Sequence, residues 1–159
     1  MFIDKVVSQI QFEIRQIDRL IDMYRTLLMD CKDKEPDLVE ITAMASVLHS
    51  FYNGLENIFA IIAKRIDERS LSGEQWHKKL LSEMAKKTQK RNMVISEVLK
   101  EKLVEYMGFR HFFRHSYSFI LEWEELRRLI LPLNEVWSEF KKELEEFLNG
   151  LNQDSGHSR

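Results

Sequence analysis

The sequence predicts an all-α protein, an up-and-down bundle of four or five helices, and three observations support this fold class. Apolar residues recur at alternating spacings of three and four, which places them on one face of each helix. The 159 residues include only five glycines and two prolines, too few for the turns of a β sandwich. No segment of the sequence alternates strictly between apolar and polar residues, as a half-buried strand would.

The first two predicted helices are long and are joined by a short polar turn. An apolar stripe over residues 3–28 defines the first helix, which should end near Asp30. The second helix should begin at Pro36 or Asp37 and continue to about Arg69. A connection this short favours antiparallel packing of the two helices.

The next two predicted helices differ in charge. The third should span about residues 73–87, with a small apolar face opposite a basic one. The fourth should begin after Ser96, because a serine at this position can accept a hydrogen bond from the first turn. The basic residues of the third helix and the following linker are Lys78, Lys79, Lys86, Lys87, Lys90 and Arg91. Such a strip is usually a solvated helix face, and the alternative is contact with an RNA backbone or an acidic partner.

The last helical region should extend from about Trp123 to Asn149. Pro132 lies inside it and should kink or split it, because proline removes a helical hydrogen bond and clashes with the preceding turn. We therefore predict one helical domain over residues 1–150, followed by a disordered tail over residues 151–159.

Charge, cysteine content and hydropathy exclude several classes of protein. The 24 Lys and Arg residues against 26 Asp and Glu residues give a net charge of −2, which argues against broad, non-specific binding of nucleic acid. The one cysteine, Cys31, cannot form an internal disulfide and fits a reducing compartment. The sequence has neither the roughly 18-residue apolar run of a membrane span nor a secretion signal at its start. We therefore expect a cytoplasmic protein with no membrane contact and no cofactor.

Residues 108–117 hold an unusual set of side chains: two arginines, two histidines, a tyrosine and no acid. An arginine fork suits phosphate oxygens, histidine can move protons near neutral pH, and aromatic rings can stack on bases. Arg110 falls on the stripe that should pass through the core, where an unpaired guanidinium is costly to bury. A cleft between two copies of the chain, open to water, would resolve that cost.

Two other chemistries have weak support in the sequence. His111 and His115 are four residues apart on a helix, but no carboxylate or cysteine on the same turn completes a metal site, so we predict none. Cys31 lies in a charged turn without a histidine nearby, which is typical of an unreactive thiol.

The segment resembles the motif of the HEPN superfamily. Arg110 and His115 form an Arg-x4-His pattern, and Tyr117 extends it to Arg-x4-His-x-Tyr. This form is similar to the HepT-like toxins of bacterial and archaeal toxin–antitoxin pairs. Residues 76–81 (Trp-His-Lys-Lys-Leu-Leu) also resemble a segment of HepT-like chains, and the resemblance covers about residues 38–147.

The resemblance implies a metal-independent endoribonuclease that acts as a homodimer, with two motifs facing one cleft. It implies that His115 acts on the ribose 2′-hydroxyl as a general base, or on the leaving 5′-oxygen as a general acid. Arg110 would stabilise charge on the phosphorane, and the product would carry a 2′,3′-cyclic phosphate. His111 and Arg114 would support the site or contact RNA phosphate. Many members place Asn or Asp where this chain has His111, so which histidine does the chemistry is open.

The resemblance also implies a partner, a minimal nucleotidyltransferase antitoxin that adenylylates Tyr117 and so blocks the cleft. The alternative is a non-catalytic HEPN-like module that binds a nucleotidyltransferase or another protein. A third interpretation is a structural helical adaptor in which the motif is a coincidence.

The candidate residues have structural interpretations as well. Arg110 could extend its charge to solvent along a packed stem, and His115 could stabilise the end of its helix. Tyr117 could be a core tyrosine with a satisfied hydroxyl. His77 is interpreted as structural and His49 as an ordinary helix residue.

Overall fold

The computed structural model describes residues 2–117 and 121–156, with side chains to residue 154. These residues form helices and no strand, which confirms the predicted all-α class. The helices are α1 (Phe2–Met23), α2 (Arg25–Asp30), α3 (Leu38–Arg65), α4 (Trp76–Met84), α5 (Glu97–His115), α6 (Trp123–Ile130) and α7 (Leu133–Gly156).

Two of the five predicted helices are each divided in two. The first is interrupted at Tyr24, a break that its unbroken apolar stripe did not indicate. The last is split at Pro132, as proline chemistry requires, and the Pro132 carbonyl accepts from Val136 N at 2.9 Å to begin α7. The predicted end at Asn149 is too early: α7 continues to Gly156, and Leu151 packs in the core. The start of the predicted tail is therefore helical, and residues 157–159 lie outside the described residues.

Side-chain caps fix the starts of α3 and α5 where the sequence predicts them. Asp37 accepts from Glu40 N at 2.8 Å while the Glu40 carboxylate accepts from Asp37 N at 3.1 Å, which forms a capping box. Ser96 Oγ accepts from Leu99 N at 3.1 Å. α4 is shorter than expected, and it begins after Gln75, a residue with the left-handed φ of 60°.

α3 is the central helix of the bundle and is apolar on nearly every side. Phe51, Tyr52 and Phe59 are fully buried, and α3 packs against α1, α4, α5 and α6. A Cβ atom at Gly54 would lie 2.6 Å from Ile17 Cγ1, so α1 can approach this closely only because the residue is glycine.

α5 lies antiparallel along α3. The ring of Phe113, near the end of α5, is 5.2 Å from His49, and the ring of Tyr106, earlier in α5, is 5.5 Å from Phe51, later in α3. This packing places residues 108–115 beside the middle of α3 and the start of α4. None of the described helices is both long and apolar enough to cross a membrane.

Candidate functional site

Arg110 points into the bundle, where two side chains of α3 hold it. Its side chain is 13% exposed, and Nη1 lies 3.4 Å from Oε1 of Glu56, which is itself buried. Nε donates a hydrogen bond to Oδ1 of Asn53. The charge is therefore paired within one chain, and most of the side chain is buried. The burial of Arg110 gives no argument for a dimer cleft, contrary to the expectation from sequence.

A directional hydrogen-bond chain continues from Arg110 along α3. The Asn53 amide nitrogen lies 3.1 Å from Nε2 of His49, so this imidazole nitrogen accepts. Burial lowers the pKa of His49, and the positive charges of Arg110 and Arg114 lower it further. A neutral His49 suits the chain Arg110→Asn53→His49, because a protonated ring could not accept from the amide.

His77, on the first turn of α4, completes the cluster around Glu56. Its Nδ1 is 2.8 Å from Glu56 Oε1 and 3.3 Å from Arg110 Nη1. One ring nitrogen cannot donate to the carboxylate and also accept from the guanidinium, and we assign the proton to Nδ1 because a carboxylate at 2.8 Å requires a donor. Glu56 Oε1 thus accepts a hydrogen bond from His77 and forms an ion pair with Arg110. The His77 ring stacks on the Trp76 ring, with their centroids 3.6 Å apart.

The cluster is incompletely satisfied. Three of its buried polar atoms have no hydrogen-bond partner among the described residues: Glu56 Oε2, Tyr52 Oη and His49 Nδ1. Burial, with the nearby Glu56 carboxylate, raises the pKa of Tyr52, so its hydroxyl stays protonated. We call His49, Tyr52, Asn53, Glu56, His77 and Arg110 the arginine cluster.

The other motif residues lie at the exposed end of α5. His111, Arg114 and His115 are exposed, and the two imidazole rings are 4.7 Å apart at an angle of 57°. His115 is the last residue of the helix, and Tyr117 beyond it is 73% exposed. The interpretation of Tyr117 as a core residue is therefore wrong. Among the described residues no group of three or more His, Cys, Asp or Glu side chains could hold a metal ion.

The basic strip is only partly a basic surface. Arg91 has a fully buried side chain and forms a two-point ion pair with Asp67 at 2.8 and 2.9 Å. Lys90 pairs with Glu68 at 3.1 Å. The strip's remaining lysines are exposed and form no ion pair with a described residue: Lys78, Lys79, Lys86 and Lys87.

Comparison with known families decides the assignment. A family model described as HepT-like protein matches residues 43–151, more than half of the chain. The chain belongs to the HepT-like family. The match confirms the resemblance drawn from the sequence, and it covers the arginine cluster and the exposed end of α5. No curated protein and no solved structure matches the chain.

Sequence reasoning missed three members of the arginine cluster of this HepT-like chain: Tyr52, Asn53 and Glu56. Glu56 was detectable as the one acid in the long apolar run of α3 between residues 41 and 66. An acid on a core face needs a positively charged partner, and Arg110 on the core stripe of α5 needs a negatively charged one. His49 and His77, interpreted as ordinary and structural, both belong to the cluster.

Proposed function

We propose that this HepT-like protein is a metal-independent endoribonuclease toxin, active at a homodimer cleft and neutralised by a minimal nucleotidyltransferase antitoxin. One observation carries the proposal. A single helix of a HepT-like chain presents an arginine held by Asn53 and Glu56 and, five residues later, an exposed histidine beside a second one. RNA cleavage without a metal requires two groups: a positioned cation that stabilises the charge of the transition state, and a general acid–base that transfers protons. The guanidinium and the imidazole can supply them.

The reaction assigns a role to each part. The ribose 2′-oxygen attacks the adjacent phosphorus and loses its proton to a base, while the bond to the 5′-oxygen breaks and that oxygen gains a proton from an acid. The products are a 2′,3′-cyclic phosphate and a free 5′-hydroxyl. We assign the proton transfers to His115, with His111 beside it, because both rings are exposed to a ligand.

Arg110 would stabilise the phosphorane. Its described contacts use Nε and Nη1, and no described residue accepts a hydrogen bond from Nη2. The guanidinium therefore keeps one donor group for a phosphate oxygen. Arg114, exposed one helical turn later, would contact a neighbouring phosphate.

The outer face of α5 supports a homodimer. Val104 and Phe112 are 38% and 42% exposed and are eight residues apart on the helix. Gly108 lies midway between them, and a Cβ atom there would meet nothing within 4 Å. A glycine inside a helix costs about 1 kcal/mol relative to alanine. Because no described residue requires the glycine, we attribute both the glycine and the exposed apolar side chains to a close approach from a second copy.

The exposure of Tyr117 supports its modification by the antitoxin. An adenylyl group on this hydroxyl would place a phosphate and a nucleoside beside Arg114 and His115, where RNA should bind.

One observation favours the alternative, a non-catalytic module that binds a nucleotidyltransferase or another protein. Arg110 is only 13% exposed and is ion-paired within the chain, which a purely structural arginine would also be.

The deciding experiment uses wild type and His115→Ala, each purified without the antitoxin and incubated with a labelled structured RNA in EDTA. We expect cleavage by wild type alone, with cyclic-phosphate ends. His111→Ala serves as the matched variant, since it removes the neighbouring exposed imidazole. Intact mass must first show that Tyr117 is unmodified. If an unmodified, folded dimer does not cleave, the nuclease proposal fails and the binding module replaces it.

A further inference from the structure

We propose that α4 and the turn that follows it carry an RNA-binding surface, on which Lys78 and Lys79 of the helix and Lys86 and Lys87 of the turn hold the substrate's phosphate backbone as it leaves Arg110. We call these four residues the lysine track. The inference rests on the proposed ribonuclease function, and it states where the RNA lies beyond the α5 motif.

Direct contact joins the start of the track to the motif. His77 Nδ1 is 3.3 Å from Arg110 Nη1, and Lys78 and Lys79 are the next two residues of the same helix. With a rise of about 1.5 Å per residue, their Cα atoms are within about 3 Å of that of His77 along the helix axis. A phosphate held by Arg110 would therefore have Lys78 and Lys79 nearby, on the side of α4.

The orientation of α4 presents the track to solvent. Leu80, Leu81 and Met84 are buried and fix the inner face of the helix. Lys78 and Lys79 are exposed on the outer face. Because this helix is held on its apolar side and by His77, the backbone at Lys78 and Lys79 has a fixed position relative to the motif.

Charge pairing around α4 isolates the track as the local excess of positive charge. Glu83 is the one acid between residues 76 and 87, and it pairs with Arg69. Arg91 and Lys90, which extend the basic strip, are paired with Asp67 and Glu68. Asp67, Glu68 and Glu83 are thus matched by other cations. Four exposed track lysines against Glu74 and Glu97 leave a local excess of positive charge that can attract an anion.

An RNA strand fits this surface better than an acidic protein does. The track begins at a stacked aromatic pair, Trp76 on His77, at an interplanar angle of 29°. Proteins that bind single-stranded nucleic acid combine aromatic rings, on which bases stack, with lysines, which contact phosphates. An acidic protein would use the charges alone, and it would not require them to lie next to Arg110.

The test is binding of a fluorescent, single-stranded 2′-O-methyl RNA, measured by anisotropy across a salt series. This RNA has no free 2′-hydroxyl, so binding is separated from cleavage. We expect K78Q/K79Q to weaken binding about tenfold at low salt. The slope of log affinity against log salt should decrease by about 1.4, since each phosphate contact on a single strand contributes about 0.7.

The matched control is K32Q/K34Q, which removes the same charge from the exposed turn between α2 and α3. That turn lies about 27 Å from Glu56 along α3, by the helical rise. The control should bind as wild type does. Equal binding by wild type and K78Q/K79Q would overturn the proposal, and so would an equal loss in both double variants. The proposal would also be overturned if K78Q/K79Q bound RNA as wild type does but no longer bound an acidic protein partner.

The outcomes separate this inference from the nuclease proposal. If K78Q/K79Q loses binding but wild type cleaves no natural RNA, the track stands and the nuclease proposal fails. If wild type cleaves and K78Q/K79Q binds normally, the track alone fails.

Discussion

Arg91 and Arg110 both have largely buried side chains, and each is paired with a carboxylate. They differ in how many guanidinium hydrogen-bond donors are left unused. Arg91 is fully buried and uses all of its donors, on both oxygens of Asp67 and on the carbonyls of three residues. Arg110 is 13% exposed, and its described contacts use only Nε and Nη1. Arg91 has no capacity for a ligand, whereas Arg110 retains a donor edge.

The difference extends to the surroundings. The carbonyls that accept from Arg91 belong to Glu83, Lys86 and Asn92, so this arginine ties the end of α4 to the loop before α5. Arg110 is surrounded by polar side chains, several with unsatisfied atoms. A saturated arginine is a structural cross-link, and an unsaturated one in a polar cluster is a candidate functional group.

The largest stability effect should come from Arg91→Ala. Removing one partner of a buried ion pair leaves Asp67 uncompensated, which typically costs about 3–5 kcal/mol in the free energy of unfolding. Chemical denaturation measures this. RNA cleavage per folded molecule should fall far less than in Arg110→Lys, because Arg91 contacts no reacting group. Lys90→Ala is the control: its pair with Glu68 is exposed, so the loss should be below about 1 kcal/mol. Equal losses in the two variants would contradict the structural role of Arg91.

The converse pattern is expected for Arg110→Lys. The charge remains near Glu56, but the planar fork is lost, so stability should fall by about 1–2 kcal/mol. Cleavage should fall by about 10²–10³, the range for loss of one oxyanion donor. Paired measurements of unfolding and single-turnover cleavage test this. A variant that cleaves at the wild-type rate would make Arg110 structural, like Arg91.

A smaller effect should come from the titration of His49, which ends the hydrogen-bond chain of Arg110. Its pKa is lowered in the folded protein, so between that value and about 6.5 the unfolded chain binds more protons. Its contribution to stability is therefore present above about pH 6.5 and is lost as pH falls below it. The slope is at most about 1.4 kcal/mol per pH unit for one proton. Denaturation of wild type and His49→Gln from pH 7.5 to 5 should show a flatter profile for the variant. Parallel profiles would refute a neutral, accepting His49.

The sequence predicted local features well, because their causes are local. Ser96 as a cap and Pro132 as a breaker act on their own helices, and the apolar stripes define which faces are buried. It failed where the partner is distant. Arg91 looks like its lysine neighbours, because Asp67 lies 24 positions away. Arg110 looked unpaired, because its carboxylate partner Glu56 is 54 positions away. Ion pairs of this kind follow from helix packing, which periodicity does not report.

The central claim is that the buried arginine and the exposed histidine of α5 act together on RNA. The most direct test measures the melting temperature and the single-turnover cleavage rate of the same preparations of wild type, Arg110→Ala and His115→Ala. We predict that both variants lose at least about 10² in rate and that only Arg110→Ala melts earlier, since His115 is exposed. If a folded, unmodified His115→Ala variant cleaved RNA at the wild-type rate, this claim would be contradicted.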